Sequence, residues 1–154
     1  LKEKSFFLDI FEQNSPYFQL LTLRGVIEHI LNPFELVPDL VDKINPDFIY
    51  LSTTPNGSSI CSHLYRQNWR MHVPKEHLWH FSPHHLVKLF SRSGYCLLNL
   101  GYPYVGTPYE DLSADSRQVF DFCEHSTSDS LQDKISPPFF DTMMSLVFVK
   151  HELL

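Results

Sequence analysis

The chain has 154 residues, of which 43% are hydrophobic and 14% aromatic. This composition predicts one globular domain with a sizeable core rather than a disordered segment. A formal net charge of −6 argues against nucleic acid as the main partner. The apolar runs are too short to cross a bilayer, which predicts no membrane partner. Cys61, Cys96 and Cys123 form no C-x-x-C pair, so they indicate neither a zinc knuckle nor a disulfide framework and favour a reducing cytoplasm.

The predicted elements alternate between strands and helices, which indicates an α/β sheet. In chain order, apolar runs predict strands over residues 5–10, 17–23, 47–53, 95–100 and 143–150, and periodic segments predict helices over residues 34–44, 58–67, 84–93 and 114–123. Pro38 suggests that the first helix starts late, with this proline in its first turn. Ser82 is a predicted N-cap and Gly94 a predicted left-handed stop of the third helix. A Ser/Asp-rich run over residues 126–133 predicts a flexible link.

Three unusual segments fall where ligands bind in open α/β sheets, outside the carboxyl ends of the strands. Residues 24–29 (RGVIEH) follow the second predicted strand, and residues 53–57 (TTPNG) follow the third. Residues 76–81 (EHLWHF) form the next loop and lead into a helix. Loops that carry imidazole and indole groups at the mouth of a scaffold are common sites of chemistry. The sequence therefore predicts a binding site at this edge of the sheet.

Four segments resemble class I S-adenosylmethionine-dependent methyltransferases, in the group that includes the ubiquinone-biosynthesis O-methyltransferases. Residues 23–33 (LRGVIEHILNP) are similar to the D/G-V-x-E-H-x-x-x-P segment of the family, and residues 52–57 (STTPNG) to the end of its fifth strand. Residues 76–83 (EHLWHFSP), with a Gly-Tyr pair at 94–95, resemble its E-H-x-x-H-F block. Residues 143–150 (MMSLVFVK) are similar to its last, antiparallel strand. The resemblance implies a partial Rossmann-like sheet, strands 3 to 7 of the family order, with flanking helices.

The chain departs from the family in its glycines. The family has a G-x-G-x-G turn after its first strand, whereas the five glycines here show no such spacing. The resemblance therefore implies that residues 1–154 are a single domain that forms the C-terminal part of a larger methyltransferase domain. In the family strand order, 3-2-1-4-5-7-6, the missing strands would leave the fourth strand as a bare edge. Bare edges recruit partners, which predicts a possible dimer or other partner chain at this edge.

The resemblance assigns roles to the residues of the predicted site. It places Arg24, Gly25, Glu28 and His29 beside the methionine end of S-adenosylmethionine, the cofactor expected in the full-length parent. Some relatives hold a divalent metal with an E-x-x-E-H pattern, but Gly25 occupies the first position here. Two ligands with one carboxylate make a poor Mg²⁺ site, so the sequence predicts no metal.

The EHLWHF loop supplies the predicted catalytic residues, His77 and His80, because an imidazole near neutrality can take a proton from a nucleophile. The alternative is an aromatic plug whose imidazoles bond the backbone. The predicted substrate-binding residues are Asn56, Trp79, Tyr104 and Tyr109. A tight turn is the alternative for Asn56, and core packing for Tyr104.

Two functions stay open at the level of the sequence. The first is methyl transfer from S-adenosylmethionine to a small-molecule acceptor, by a chain that lacks the glycine-rich cofactor motif and is therefore expected to be inactive alone. The second is a non-catalytic, methyltransferase-like domain that binds a partner chain. The absent glycine turn favours the second function, and the three segments at the ligand edge favour the first.

Overall fold

The computed structural model describes residues 17–125 and 134–154. Within them, four strands form one sheet in the order β1-β2-β4-β3. The strands are β1 Leu20–Arg24, β2 Phe48–Pro55, β3 Tyr95–Gly101 and β4 Met143–Lys150. β1 and β2 are parallel, whereas β4 runs antiparallel to both β2 and β3. The predicted strand over residues 5–10 and the predicted link over 126–133 lie outside the described residues.

Four α-helices lie between these strands along the described parts of the chain: α1 Pro33–Ile44, α2 Ile60–Tyr65, α3 Pro83–Ser91 and α4 Leu112–His125. The α/β class, the four described strands and all four predicted helices are confirmed, and β4 has the predicted bounds. Along the described parts of the chain, no helix combines the length and the apolar character that a membrane crossing demands.

The prediction that α1 starts late was wrong. The helix begins at Pro33, a favoured first position for proline, and Pro38 lies inside it. An interior proline removes one helical hydrogen bond, at a cost of about 3 kcal/mol. Val37 and Val41 offset this cost because both are buried at 1% exposure in the hydrophobic core. Asn45, in the left-handed conformation, caps the end.

The start of α3 fixes the direction in which the EHLWHF loop enters the helix. The Ser82 hydroxyl accepts a hydrogen bond from the His85 backbone N–H, and the His85 ring accepts one from the Ser82 N–H. This reciprocal arrangement satisfies two backbone donors that the first helical turn would otherwise leave unpaired. Gly94 follows the helix with φ +81°, which confirms the predicted left-handed stop.

The core lies against the two central strands. Ile49 and Leu51 of β2 and Leu146 and Phe148 of β4 have no exposed surface. Phe90 of α3 packs on Phe148 with ring centroids 4.7 Å apart. Each fully buried side chain of this kind contributes about 1.5–3 kcal/mol of transfer free energy. The core therefore fixes the two central strands, and the loops at their ends inherit a rigid support.

The carboxyl end of β2 departs from regular strand geometry. The register with β4 shifts between Leu51 and Thr54, and Thr53 has φ +54°. A left-handed backbone is a true outlier for a β-branched residue. Bulges and strained residues of this kind are common beside active sites, where they redirect side chains. The irregularity lies at the edge where the sequence predicts a ligand.

Candidate functional site at the carboxyl ends of two parallel strands

Backbone hydrogen bonds join the three predicted segments at one edge of the sheet. The Gly25 N–H, just after β1, donates to the carbonyl of Ser52 in β2 over 3.1 Å. The Leu78 and Trp79 N–H groups both donate to the Glu28 carbonyl, over 2.9 and 3.2 Å. The Gly57 N–H donates to the Phe81 carbonyl over 2.7 Å. These bonds confirm the prediction that the three segments meet.

Glu28 is a buried carboxylate at the centre of this junction. It lies in a short 3-10 turn, Ile27–His29, that directly follows β1. Its side chain is 2% exposed, and Oε2 has no hydrogen-bond partner among the described residues. Burial raises the pKa of Glu28, and the neighbouring backbone and histidines lower it less strongly. An unpartnered buried carboxylate is costly, so its surroundings need an explanation.

Two histidines from different segments surround this carboxylate. His29 Nε2 lies 3.9 Å from Glu28 Oε1, and the His29 and His77 ring centroids are 5.0 Å apart. His29 Nδ1 contacts the Glu76 carbonyl at 2.7 Å, and His77 Nδ1 contacts the Met71 carbonyl at 2.7 Å. A carbonyl only accepts, so both rings carry a proton on Nδ1. In a neutral ring of this kind, the lone pair is on Nε2.

His80 occupies a different environment from His77. Its Nε2 atom is buried without a partner among the described residues, and so is the indole N–H of Trp69. The two rings meet edge to face with centroids 5.1 Å apart, and His72 lies 5.3 Å away on the same measure. Burial is the largest cause that lowers the pKa of His80, so the ring is neutral near pH 7. This arrangement has the character of the aromatic plug that the sequence left open.

Trp79 braces the turn that carries Glu28. Its indole N–H donates to the Ile30 carbonyl over 2.9 Å, and its ring meets Phe34 edge to face at 5.1 Å. The side chain is half-buried, so one side of the ring is exposed at the site. Its predicted contact with a substrate stays a prediction.

The last residue of β1, Arg24, and the residue after it, Gly25, differ in what they present. Arg24 is exposed. Gly25 has φ +55°, and a Cβ placed there would meet Thr53 Oγ1 at 3.7 Å and Glu28 Oε1 at 3.8 Å. The left-handed backbone requires glycine here, and the position lies directly beside the buried carboxylate. Their predicted contact with the cofactor stays a prediction.

The polar atoms of Asn56 are used within the protein. Its side-chain N–H donates to the Asp141 carbonyl over 3.0 Å, and its oxygen accepts from the N–H and hydroxyl of Ser58. The residue is 2% exposed. This arrangement favours the tight turn that was the alternative to substrate binding. The turn also brings Gly57 against the His80 backbone, where an added Cβ would lie 2.8 Å from the carbonyl oxygen.

The two tyrosines predicted to bind substrate also differ from each other. Tyr104 is 3% exposed, and its hydroxyl donates to Asp115 Oδ2 over 2.7 Å and accepts from the Asp111 N–H. These bonds hold the segment that leads into α4, which favours the packing alternative. Tyr109 is 68% exposed. None of the contacts described for either residue involves Glu28 or the histidines around it.

Two features of this site were not predicted from the sequence. Thr53 was counted only as part of a turn, because no sequence signal announces a left-handed threonine. His77 was considered as a base, whereas the structure places it beside Glu28 and His29. The donor atoms of these three residues lie within 4.8 Å of one another. A histidine 48 positions away cannot be joined to an E-H pair by spacing alone.

The fold and the site together define a class of protein. Two parallel strands joined through a helix, with polar loops at their carboxyl ends, are the arrangement at which open α/β domains generally bind ligands. Comparison with known proteins gives the family. Residues 1–100 match the model of a methyltransferase domain family, and the chain belongs to that family. The resemblance predicted from the sequence is thereby confirmed, and methyl transfer is the activity that this family represents.

Two further comparisons add little to this assignment. A crystal structure of a protein from Bacillus halodurans C-125, described as a candidate methyltransferase, is similar with a TM-score of 0.46 and 11% sequence identity. The alignment covers 86% of this chain and 62% of the other, so this chain spans less than two thirds of that protein. No curated protein matches the sequence.

Proposed function

We propose that this chain takes part in methyl transfer from S-adenosylmethionine to a small-molecule acceptor. In this proposal, the chain forms the wall of the active-site cleft on the acceptor side. The observation that carries the proposal is the junction of three loops around Glu28 at the carboxyl ends of β1 and β2. Membership of a methyltransferase domain family supports the reaction. The three cysteines are free, which agrees with the reducing cytoplasm that we propose as its location.

The cofactor would supply the methyl group from its sulfonium, and the protein would supply alignment. The residues of this chain fit one end of such a cofactor. Gly25 presents no side chain beside the buried carboxylate, where an added Cβ would contact Thr53 Oγ1 at 3.7 Å and Glu28 Oε1 at 3.8 Å. Arg24 offers an exposed cation for a carboxylate. No pair of glycines in the sequence provides the G-x-G-x-G turn. We therefore assign this chain the methionine end of the cofactor and not its nucleoside end.

Acceptor deprotonation would fall to a histidine of the EHLWHF loop. His77 is half-buried with Nδ1 held by a carbonyl, so its free Nε2 can accept a proton. His80 is neutral, but its Nε2 is buried under Trp69. Of the two predicted bases, His77 is therefore better placed, because a base must come within hydrogen-bonding distance of the proton that it removes.

The second candidate function is a partner-binding domain without catalysis. One observation favours it: among the described residues, β1 is an edge strand that pairs only with β2. Leu20, the first residue of β1, is 54% exposed, and Tyr17, three residues before it, is 68% exposed. An apolar edge of this kind is suited to pairing with a further strand. That strand would come from a second copy of the chain or from another protein.

Calorimetric titration with S-adenosylmethionine separates these functions. We would titrate the 154-residue chain and, in parallel, the chain with any residues that its gene encodes upstream of Leu1. The expected result is no stoichiometric binding by the first and one site per chain in the second. Arg24→Gln should weaken that site by about ten- to a hundredfold, since a charged hydrogen bond contributes roughly 1.5–3 kcal/mol. Arg92→Gln, also at an exposed arginine, is the matched control.

Two outcomes would contradict the proposal in different ways. Tight, stoichiometric binding by the 154 residues would show that the cofactor site is misplaced. Absence of binding by the extended chain, together with a concentration-dependent increase in mass on sedimentation, would favour the partner-binding domain instead.

A further inference from the structure

Three acceptor groups converge at the junction without a donor between them. The ligand atoms of Glu28, His29 and His77 lie within 4.8 Å of one another. In the neutral form, with the proton on Nδ1, each imidazole directs a lone pair from Nε2, and the carboxylate contributes only lone pairs. Among the described residues, Glu28 Oε2 has no hydrogen-bond partner. Lone pairs that face each other in this way are stabilised by a cation.

The histidines are held as proteins hold metal ligands. An imidazole that binds a metal through one nitrogen almost always donates its other N–H to a carbonyl, a carboxylate or water. His29 and His77 both show this arrangement, each with a backbone carbonyl at 2.7 Å. The backbone bonds from Leu78 and Trp79 to the Glu28 carbonyl tie the two contributing segments together. The backbone of both loops therefore holds the two segments that carry the ligands beside each other.

We propose that Glu28, His29 and His77 form a binding site for a divalent transition-metal ion, with zinc as the ion that their chemistry fits best. Two imidazoles and one carboxylate are a ligand set typical of zinc and of non-haem iron, whereas Mg²⁺ and Ca²⁺ prefer oxygen alone. Spacing in the sequence identifies only the adjacent Glu-His pair, and the fold supplies the third ligand.

The geometry of the cluster is compatible with this ion. Zinc binds nitrogen and carboxylate oxygen at about 2.0–2.2 Å, so tetrahedral ligands lie roughly 3.3 Å apart. The donors here must approach each other from a maximum separation of 4.8 Å. The His29 side chain is 42% exposed, so its ring can turn toward the carboxylate without disturbing the core. The exposed side of the cluster leaves coordination positions open to a further ligand.

An open position would give the metal a role in methyl transfer, and this role rests on the proposed function. A bound metal can hold the acceptor oxygen and lower the pKa of its hydroxyl, so that the proton leaves to solvent. His77 would then be a metal ligand rather than the base. Binding of the metal itself does not depend on the reaction.

Zinc titration of the metal-stripped 154-residue chain tests the site. Calorimetry should give one zinc ion per chain and no comparable binding of Mg²⁺. We expect Glu28→Gln, His77→Gln and His29→Gln each to weaken zinc binding by at least about tenfold. His84→Ala, at a histidine outside the cluster, should leave the affinity unchanged. Because His29 is exposed, its variant should fold even where the replacement of buried Glu28 does not.

Cobalt substitution identifies the ligand atoms. Co²⁺ bound by two imidazoles and a carboxylate should give visible d–d bands without the intense near-ultraviolet charge transfer that thiolate ligands produce. Charge-transfer bands would place the metal on a cysteine and overturn the proposal, as would zinc binding that the His29 and His77 variants leave intact. Both titrations are made without S-adenosylmethionine. Absence of S-adenosylmethionine binding by the chain extended upstream of Leu1, with zinc binding intact, would therefore contradict only the proposed function.

Discussion

A methyl group added at Gly57 should separate the two loops that build the site. The backbone φ of Gly57 lies outside the left-handed region, so alanine is allowed by conformation. Its Cβ, however, would lie 2.8 Å from the His80 carbonyl oxygen and 3.0 Å from the carbonyl carbon. Ordinary contact begins at 3.4 Å, so one backbone must move. Gly57 also donates to the Phe81 carbonyl over 2.7 Å, and the same movement would lengthen this hydrogen bond.

The expected cost of Gly57→Ala follows from these two contacts. Overpacking of a tight site costs about 1–3 kcal/mol, and a weakened hydrogen bond adds up to about 1 kcal/mol. We therefore expect the free energy of unfolding to fall by roughly 2–3 kcal/mol. In a domain of this size, each kcal/mol lowers the melting temperature by about 2–4 °C.

Urea denaturation followed by circular dichroism measures the change, with Gly101→Ala as the matched control. Gly101 lies in β3, has an ordinary φ, and would have no atom within 4 Å of an added Cβ. Its replacement should be neutral or slightly stabilising, because alanine has less conformational freedom to lose on folding. If Gly57→Ala and Gly101→Ala have equal midpoints and slopes, the two loops are not in contact as described.

Three further predictions test the strain, the packing and the titration of the site. Thr53→Asn should raise the free energy of unfolding by about 0.5–1 kcal/mol, because asparagine tolerates a left-handed backbone. The control, Thr22→Asn in the regular strand β1, should lower the free energy of unfolding. Equal effects of the two substitutions would refute the backbone strain at Thr53. Tyr104→Phe should cost about 1–2 kcal/mol in urea denaturation, because its buried hydroxyl bonds a carboxylate, whereas exposed Tyr109→Phe should change stability by less than about 0.5 kcal/mol. Burial lowers the pKa of His80 in the folded chain below its ordinary 6.5. As the pH falls, the unfolded chain therefore binds a proton at His80 before the folded chain does. Stability is lost as the pH falls from about 6.5 toward the pKa of His80 in the folded chain. His80→Gln should therefore flatten the fall in melting temperature between about pH 7.5 and pH 5.5, and an unchanged slope would contradict a buried neutral imidazole.

The sequence predicts those elements whose signals are local. Helix α3 has a serine cap, a proline at its first position and a glycine stop, and each acts within a few residues of the helix end. Strand β4 is a mostly apolar run (MMSLVFVK) with the bounds that its composition indicates. Only the start of helix α1 was mispredicted, because Pro38 is a local signal against the interior of a helix. The buried face formed by Val37 and Val41 is a tertiary contact, and it outweighed that signal.

The site was predictable as a location but not as a set of contacts. Polar segments that follow two parallel strands must lie at one edge, and hydrogen bonds between the loops show that they do. Which side chains then face each other depends on the path of each loop. The Asn56 side chain, for example, turns back to the Asp141 backbone, a residue 85 positions away. His77 likewise faces the cluster because the Met71 carbonyl holds its ring.

The EHLWHF loop therefore has a different role from the one that its side chains suggest in isolation. Trp79 uses its indole N–H to bond the Ile30 carbonyl, and the backbone of this loop donates twice to the Glu28 carbonyl. Both contacts hold the turn that carries the carboxylate. Of the residues in the EHLWHF loop, only His77 places a metal-ligating atom beside the Glu28 carboxylate. The loop is thus first a clamp on Glu28, and its chemistry depends on what the carboxylate and the two imidazoles bind together.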